Sequence, residues 1–117
     1  MKQLEVEFQG KGQVKGFFFR QIANNGLAYI YEVTDDCGIH YEVFEHKEVE
    51  ATTAILGGVS VMYEARVLYP KESAFGVWAK CVKHYSNAFS LYEQMSNEVM
   101  KRKEKKKRKE EKYASRD

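Results

Sequence analysis

FFFRQIANNGLAYIYEVTDDCGIHYEVFEHK, Phe17 to Lys47, is the stretch that decides how this chain of 117 residues folds. It reads as three consecutive β-strands joined by two turns, because aromatic and β-branched residues dominate it and two clusters of turn formers interrupt it. Asn24-Asn25-Gly26 supplies residues that tolerate positive φ, as a tight hairpin needs. Thr34 to Gly38 reads as a second, longer turn ending in glycine. In the middle strand Leu27, Tyr29, Tyr31 and Val33 share one face, and Ala28, Ile30 and Glu32 the other. In the next strand Ile39, Tyr41 and Val43 oppose His40, Glu42, Phe44 and His46. Three adjacent phenylalanines cannot alternate with polar residues, so Phe18 lies opposite Phe17 and Phe19. That second face needs cover or is a contact surface, and the expected cover is the C-terminal helix.

Outward from this centre, Leu4, Val6 and Phe8 alternate with Glu5, Glu7 and Gln9, the period of a half-buried strand. Gly10 to Gln13 turns the chain. Glu48 to Gly58 is irregular and is assigned to a loop. Val59 to Tyr69 alternates as one strand, which Pro70 ends because it has no N–H for a ladder. Val77, Ala79 and Cys81 alternate with Trp78, Lys80 and Val82 in a last strand reached through Gly76. Ser86 reads as a helix N-cap with the helix starting near Asn87. Ala88, Leu91, Tyr92, Met95 and Val99 recur at three- and four-residue intervals, and Phe89 widens their stripe, which should pack across the concave face of the sheet. Beyond Val99 the helix formers continue without apolar residues. The expectation is a helix that leaves the domain, frays over 103–112 and gives way to disorder over 114–117. The fold class is α+β: an antiparallel meander of five or six strands on one C-terminal helix, with one domain over 1–100 and a basic tail over 101–117.

The net charge of +2 conceals a division. Ten of the 19 basic residues fall in 101–117 with only four of the 17 acids, leaving nine basic and thirteen acidic residues in 1–100. The body is about −4 and the tail about +6. No apolar run reaches the roughly 18–20 residues of a membrane span. The opening MKQLEVEFQG has no apolar core of a signal peptide, so a cytosolic protein without a membrane partner is expected. Cys37 and Cys81 have no paired spacing, and both read as reduced and structural.

Chemistry-bearing patterns are weak by comparison. His40, Glu42 and His46 share a strand face, but positions i, i+2 and i+6 span about 20 Å, too far for one ion, and nothing requires His84 to complete a set. No metal or other cofactor is expected. The acids Asp35, Asp36, Glu42, Glu45, Glu48 and Glu50 read as a solvated edge that discourages strand-to-strand association. Gly10, Gly12 and Gly16 lack the lysine and following helix of a phosphate loop. Phe17, Phe19, Tyr29, Tyr31, Tyr41 and Phe44 resemble a base-stacking platform in composition, yet only Arg20 and Lys47 supply positive neighbours, so they read as core.

YEVFEHKE (Tyr41 to Glu48) and YPKESAFGVWAK (Tyr69 to Lys80), followed by an amphipathic helix, resemble small uncharacterised proteins of phages and related mobile elements. The resemblance spans Leu4 to Met95, with Val49 to Val67 as an extension. It implies a compact accessory protein of a bacterial cytosol and not a metabolic enzyme.

The leading expectation is therefore a non-catalytic accessory protein that binds nucleic acid or a nucleoprotein complex. Lys101, Arg102, Lys103, Lys105, Lys106, Lys107, Arg108, Lys109 and Lys112 would contact phosphates, without sequence preference and in a salt-dependent way. The alternative is an inhibitor or adaptor that binds a host protein, for example one of a defence system, through its sheet surface. Phe18 and Trp78 are the residues expected at such a contact.

Overall fold

The computed structural model describes the backbone of residues 1–114 and the side chains of 1–111. In chain order the strands are β1 (Glu7–Gln9), β2 (Phe18–Asn24), β3 (Ala28–Asp35), β4 (Gly38–Glu45), β5 (Glu48–Val49), β6 (Thr52–Leu56), β7 (Val59–Tyr63), β8 (Arg66–Val67) and β9 (Ala79–Val82), and helix α1 (Tyr85–Ala114) follows. The central sheet has the order β1-β2-β3-β4-β9, antiparallel throughout. Short turns dictate the β2-β3-β4 meander. Asn24 Oδ1 accepts the Gly26 N–H, and Asn25 Oδ1 accepts the N–H groups of Leu27 and Ala28. Gly26 takes φ 80°, which a side chain would resist. The second turn is shorter than expected, only Asp36 and Cys37, and Asp35 Oδ1 accepts the Cys37 N–H.

Strand register sorts the residues onto two faces, and both are covered. On one face Ala28, Ile30 and Val43 are fully buried beneath Ala88 and Met95 of α1. On the other face Phe19, Tyr29, Tyr31, Val33 and Phe44 pack under Val67, Ala74 and Tyr69 from the excursion between β4 and β9. Each fully buried Ile or Val contributes about 1.5–3 kcal/mol through removal from water. Two polar contacts fix α1 along the sheet. Asn25 Nδ2 donates to Ser96 Oγ (2.8 Å), whose hydroxyl donates to the Tyr92 carbonyl (2.7 Å). Arg102 Nη2 donates to Glu45 Oε1 (2.5 Å).

Several expectations change. The 48–58 segment is not a loop: β6 and β7 form a hairpin around Gly57-Gly58, at φ 59° and 80°, the pair of positive values that a two-residue hairpin turn requires. The alternating run to Tyr69 is not one strand. It breaks at Glu64-Ala65, so β7 pairs with β6 whereas β8 pairs with β5. The first strand contributes ladder pairs only over Glu7–Gln9. The last begins at Ala79, because residues 76–78 form a turn in which the Ala74 carbonyl accepts the Val77 and Trp78 N–H groups. The helix starts at Tyr85, where the His84 carbonyl accepts the Ala88 N–H (3.0 Å), so Ser86 lies inside the first turn. It also runs unbroken through 103–112 to Ala114; residues 115–117 lie outside the described residues. Phe18 is not covered by α1. The helix crosses the end of the sheet that carries Ala28 and Val43, whereas Phe18 pairs with Thr34 at the opposite end and stays exposed.

Candidate functional site

The basic residues of the tail sit on a helix whose seat on the body is defined. Ala88, Met95 and Val99 of the apolar stripe are buried and Leu91 and Tyr92 partly so, Phe89 stays exposed, and from Met100 to Glu111 every residue is exposed. At the helical rise, residues 103–114 extend about 18 Å. Lys101, Lys105, Arg108 and Lys109 follow one another at helical spacing, and Glu104, Lys107 and Glu111 lie along a neighbouring stripe. Glu104 with Arg108, and Lys107 with Glu111, are four apart, which supports the helix against repulsion among the lysines. The structure thus gathers Lys101, Lys103, Lys105, Lys106, Lys107, Arg108 and Lys109 on one exposed rod. It separates Arg102 from them, because that guanidinium is paired with Glu45. The Lys112 side chain lies outside the described residues.

A cleft of about 850 Å³ opens on the sheet face opposite α1. Phe8 and Phe19 stack at 4.6 Å with their rings nearly parallel, and Tyr69 meets both edge-on at 5.5 Å. Phe17 and Phe75 complete the aromatic lining. Polar groups converge at its Tyr69 wall, where Glu42 also lines the cleft. The Tyr69 hydroxyl donates to Glu42 Oε1 (2.6 Å), His40 Nε2 is 3.4 Å from Glu42 Oε2, and His40 Nδ1 is 3.4 Å from Asp35 Oδ2. Burial first, and the Glu42 carboxylate second, push the Tyr69 phenol well above its ordinary pKa, which keeps it a donor. Cys81, opposite Glu42 in the β4–β9 register, is an exposed residue whose thiol is nonetheless raised, by partial burial and then by Glu42 and Asp35. A raised thiol is a poor nucleophile and a protonated phenol a poor base.

Of the metal candidates, His40 and Glu42 meet but His46 does not join them. His46 is held elsewhere, with Nδ1 on the Tyr29 hydroxyl (3.0 Å) and Nε2 on Glu48 (2.8 Å), and the described residues contain no group of three ligands that could hold an ion. Sequence reading pairs Glu42 with His40 but misses Tyr69, which arrives from 27 positions away and has no local signal.

Apolar surface lies where only part of it was expected. Phe18 is exposed, whereas Trp78 is half-buried on the other face, edge-on to Phe44 at 6.3 Å with Lys47 over its ring at 5.8 Å. The two do not form one surface. The larger exposure is the β6–β7 ribbon, where Ile55 is 77% and Met62 82% exposed, and Leu56 and Val59 more than half so. From Ala51 to Tyr63 it contains no charge. Its signal in the sequence was Gly57-Gly58 between two apolar runs. No helix of the described residues is long and apolar enough to cross a membrane. Comparison with protein-family models, with curated proteins and with solved structures found no match to this chain.

Proposed function

We propose that this chain is a non-catalytic accessory protein, of the phage or mobile-element type, that binds nucleic acid or a nucleoprotein complex through the arm of α1. The observation that carries this reading is the exposed helical rod of 100–111, which presents at least seven cations on a seated helix beside a body of opposite charge sign. Phosphate backbones match that charge, and a helix that is already formed loses little further chain entropy on binding. The acidic body disfavours wrapping and leaves the contact to the arm.

Fluorescence anisotropy with single- and double-stranded DNA and RNA tests it. The full chain is compared with a full-length variant in which Lys105, Lys106, Lys107 and Lys109 become Gln. The expected result is binding by the native chain with a log–log salt slope of about −4 to −6, lost in the variant. Failure to bind at low salt would sink the reading.

A specific observation favours a second reading, an inhibitor or adaptor for a host protein. The uncharged β6–β7 ribbon has free strand edges, the template for strand addition by a partner. Ile55 and Met62, with Phe18, then replace Trp78 as the contact residues. A partner retained by the Gln variant at moderate salt, and lost when Ile55 and Met62 become Lys, supports this reading over the first.

A further inference from the structure

The aromatic cleft is separate from the arm, and its size falls in the range of small-molecule sites. Its walls are aromatic faces and edges: the Phe8–Phe19 stack, Tyr69 and the half-buried Phe17. The charge set against those walls is Glu42, whose side chain is only 14% exposed. Tyr69 occupies one Glu42 oxygen and His40 approaches the other. A carboxylate has about four lone-pair sites, so Glu42 retains capacity for a further donor. Glu5 and Glu72 add exposed carboxylates to the lining, and Lys11 and Lys71 are exposed cations whose long stems let their heads stay in water. Of these lining charges, Glu42 is the mostly buried one, and it is hydrogen-bonded to a wall residue, Tyr69.

We infer that this cleft binds a small organic cation with a planar apolar body, its ring against Phe8, Phe17 and Tyr69 and its charged N–H groups on Glu42. Aromatic faces attract cations through their quadrupole, and a partly desolvated carboxylate accepts charged donors more strongly than neutral ones. The inference does not rest on the nucleic-acid reading, since none of the arm's cations lines the cleft.

Three probes of nearly one shape separate charge from shape: benzamidine (cation), benzamide (neutral) and benzoate (anion). Each is titrated into the isotope-labelled full chain and followed by backbone amide shifts. Benzamidine is expected to bind at least about tenfold more tightly than benzamide. Its shifts should map to residues 8–19, 42 and 69–75, and benzoate should give none there. Glu42→Gln should bring benzamidine down to the benzamide level. Phe17→Ala, at a half-buried position that the fold tolerates better, should weaken both cation and amide while keeping their ratio. Equal affinity for benzamidine and benzamide, binding of benzoate in the cleft, cation shifts confined to acidic surface elsewhere, or no binding at all would each overturn the inference.

Discussion

Arg102 closes on Glu45 across 57 positions of sequence, and this contact marks where α1 stops being part of the body and becomes an arm. Glu45 is mostly buried while Arg102 is more than half exposed, and Lys47 stands 4.0 Å from the other Glu45 oxygen. The pair is thus worth only about 0.3–1 kcal/mol. Arg102→Ala should barely move the melting temperature but should speed amide exchange over residues 100–106. Because its charge is already partnered, the substitution should leave the nucleic-acid salt slope nearly unchanged, whereas Lys105→Ala should reduce its magnitude by about one. A full unit lost with Arg102→Ala would show that Arg102 leaves Glu45 for phosphate.

Alkaline pH should unfold the protein through its tyrosines. Burial pushes Tyr31 up to about 12 and raises Tyr29, Tyr69 and Tyr92 as well. A phenol whose pKa is higher folded than unfolded contributes stability that is complete below about pH 10 and lost as pH rises through the folded value. Denaturation midpoints should be flat up to about pH 10 and fall steeply toward pH 12, with ionisation of these four phenols appearing in step with unfolding. Ionisation of Tyr29, Tyr31, Tyr69 or Tyr92 at pH 10 in the folded chain, read ring by ring by NMR, would contradict this.

Tyr31 also receives the Gln21 amide (2.9 Å) and donates to the Glu5 carbonyl (2.6 Å). Tyr31→Phe should cost about 1–2 kcal/mol, because it strands a part-buried donor and acceptor, and should make the alkaline decline shallower. Urea denaturation at pH 7 and pH 11 measures both effects.

Ser96 links the β2–β3 turn to the helix. Ser96→Ala removes the acceptor of Asn25 Nδ2 and should destabilise the fold by about 1–2 kcal/mol. Ala gains about 0.5 kcal/mol over Ser in helix propensity, so a variant stabilised by that much would mean that water satisfies Asn25 equally well.

Ile55→Lys with Met62→Lys should change stability by less than about 0.5 kcal/mol, since both side chains are free of the core. Chemical denaturation checks this. A loss above about 1 kcal/mol would mean that the ribbon packs on the body.

The centre of the fold was legible because its determinants are local. Tyr29 to Val33 alternate, Asn25 and Gly26 specify the turn between β2 and β3, and Ala88 to Val99 keep a helical period. Phe18 was misplaced because its exposure depends on where α1 crosses the sheet, a lateral position that no local pattern encodes. Tyr69 meets Glu42 only because the excursion through β5 to β8 carries the chain back to β4, so the cleft had no signature of its own. In the same way Arg102 looked like any other cation of the tail until Glu45 distinguished it.

The seating of α1 has a directional consequence. Ala88, Met95 and Val99 are buried and Arg102 is paired, so the segment beyond them inherits its heading from the sheet. A charged tail on a flexible tether sweeps a sphere and holds its anion at any angle, whereas this one is splinted. On the proposed reading, a polyanion lying along the splint would meet the body at one fixed angle. Loosening the core beneath Ala88 would therefore spoil that alignment without removing a single positive charge.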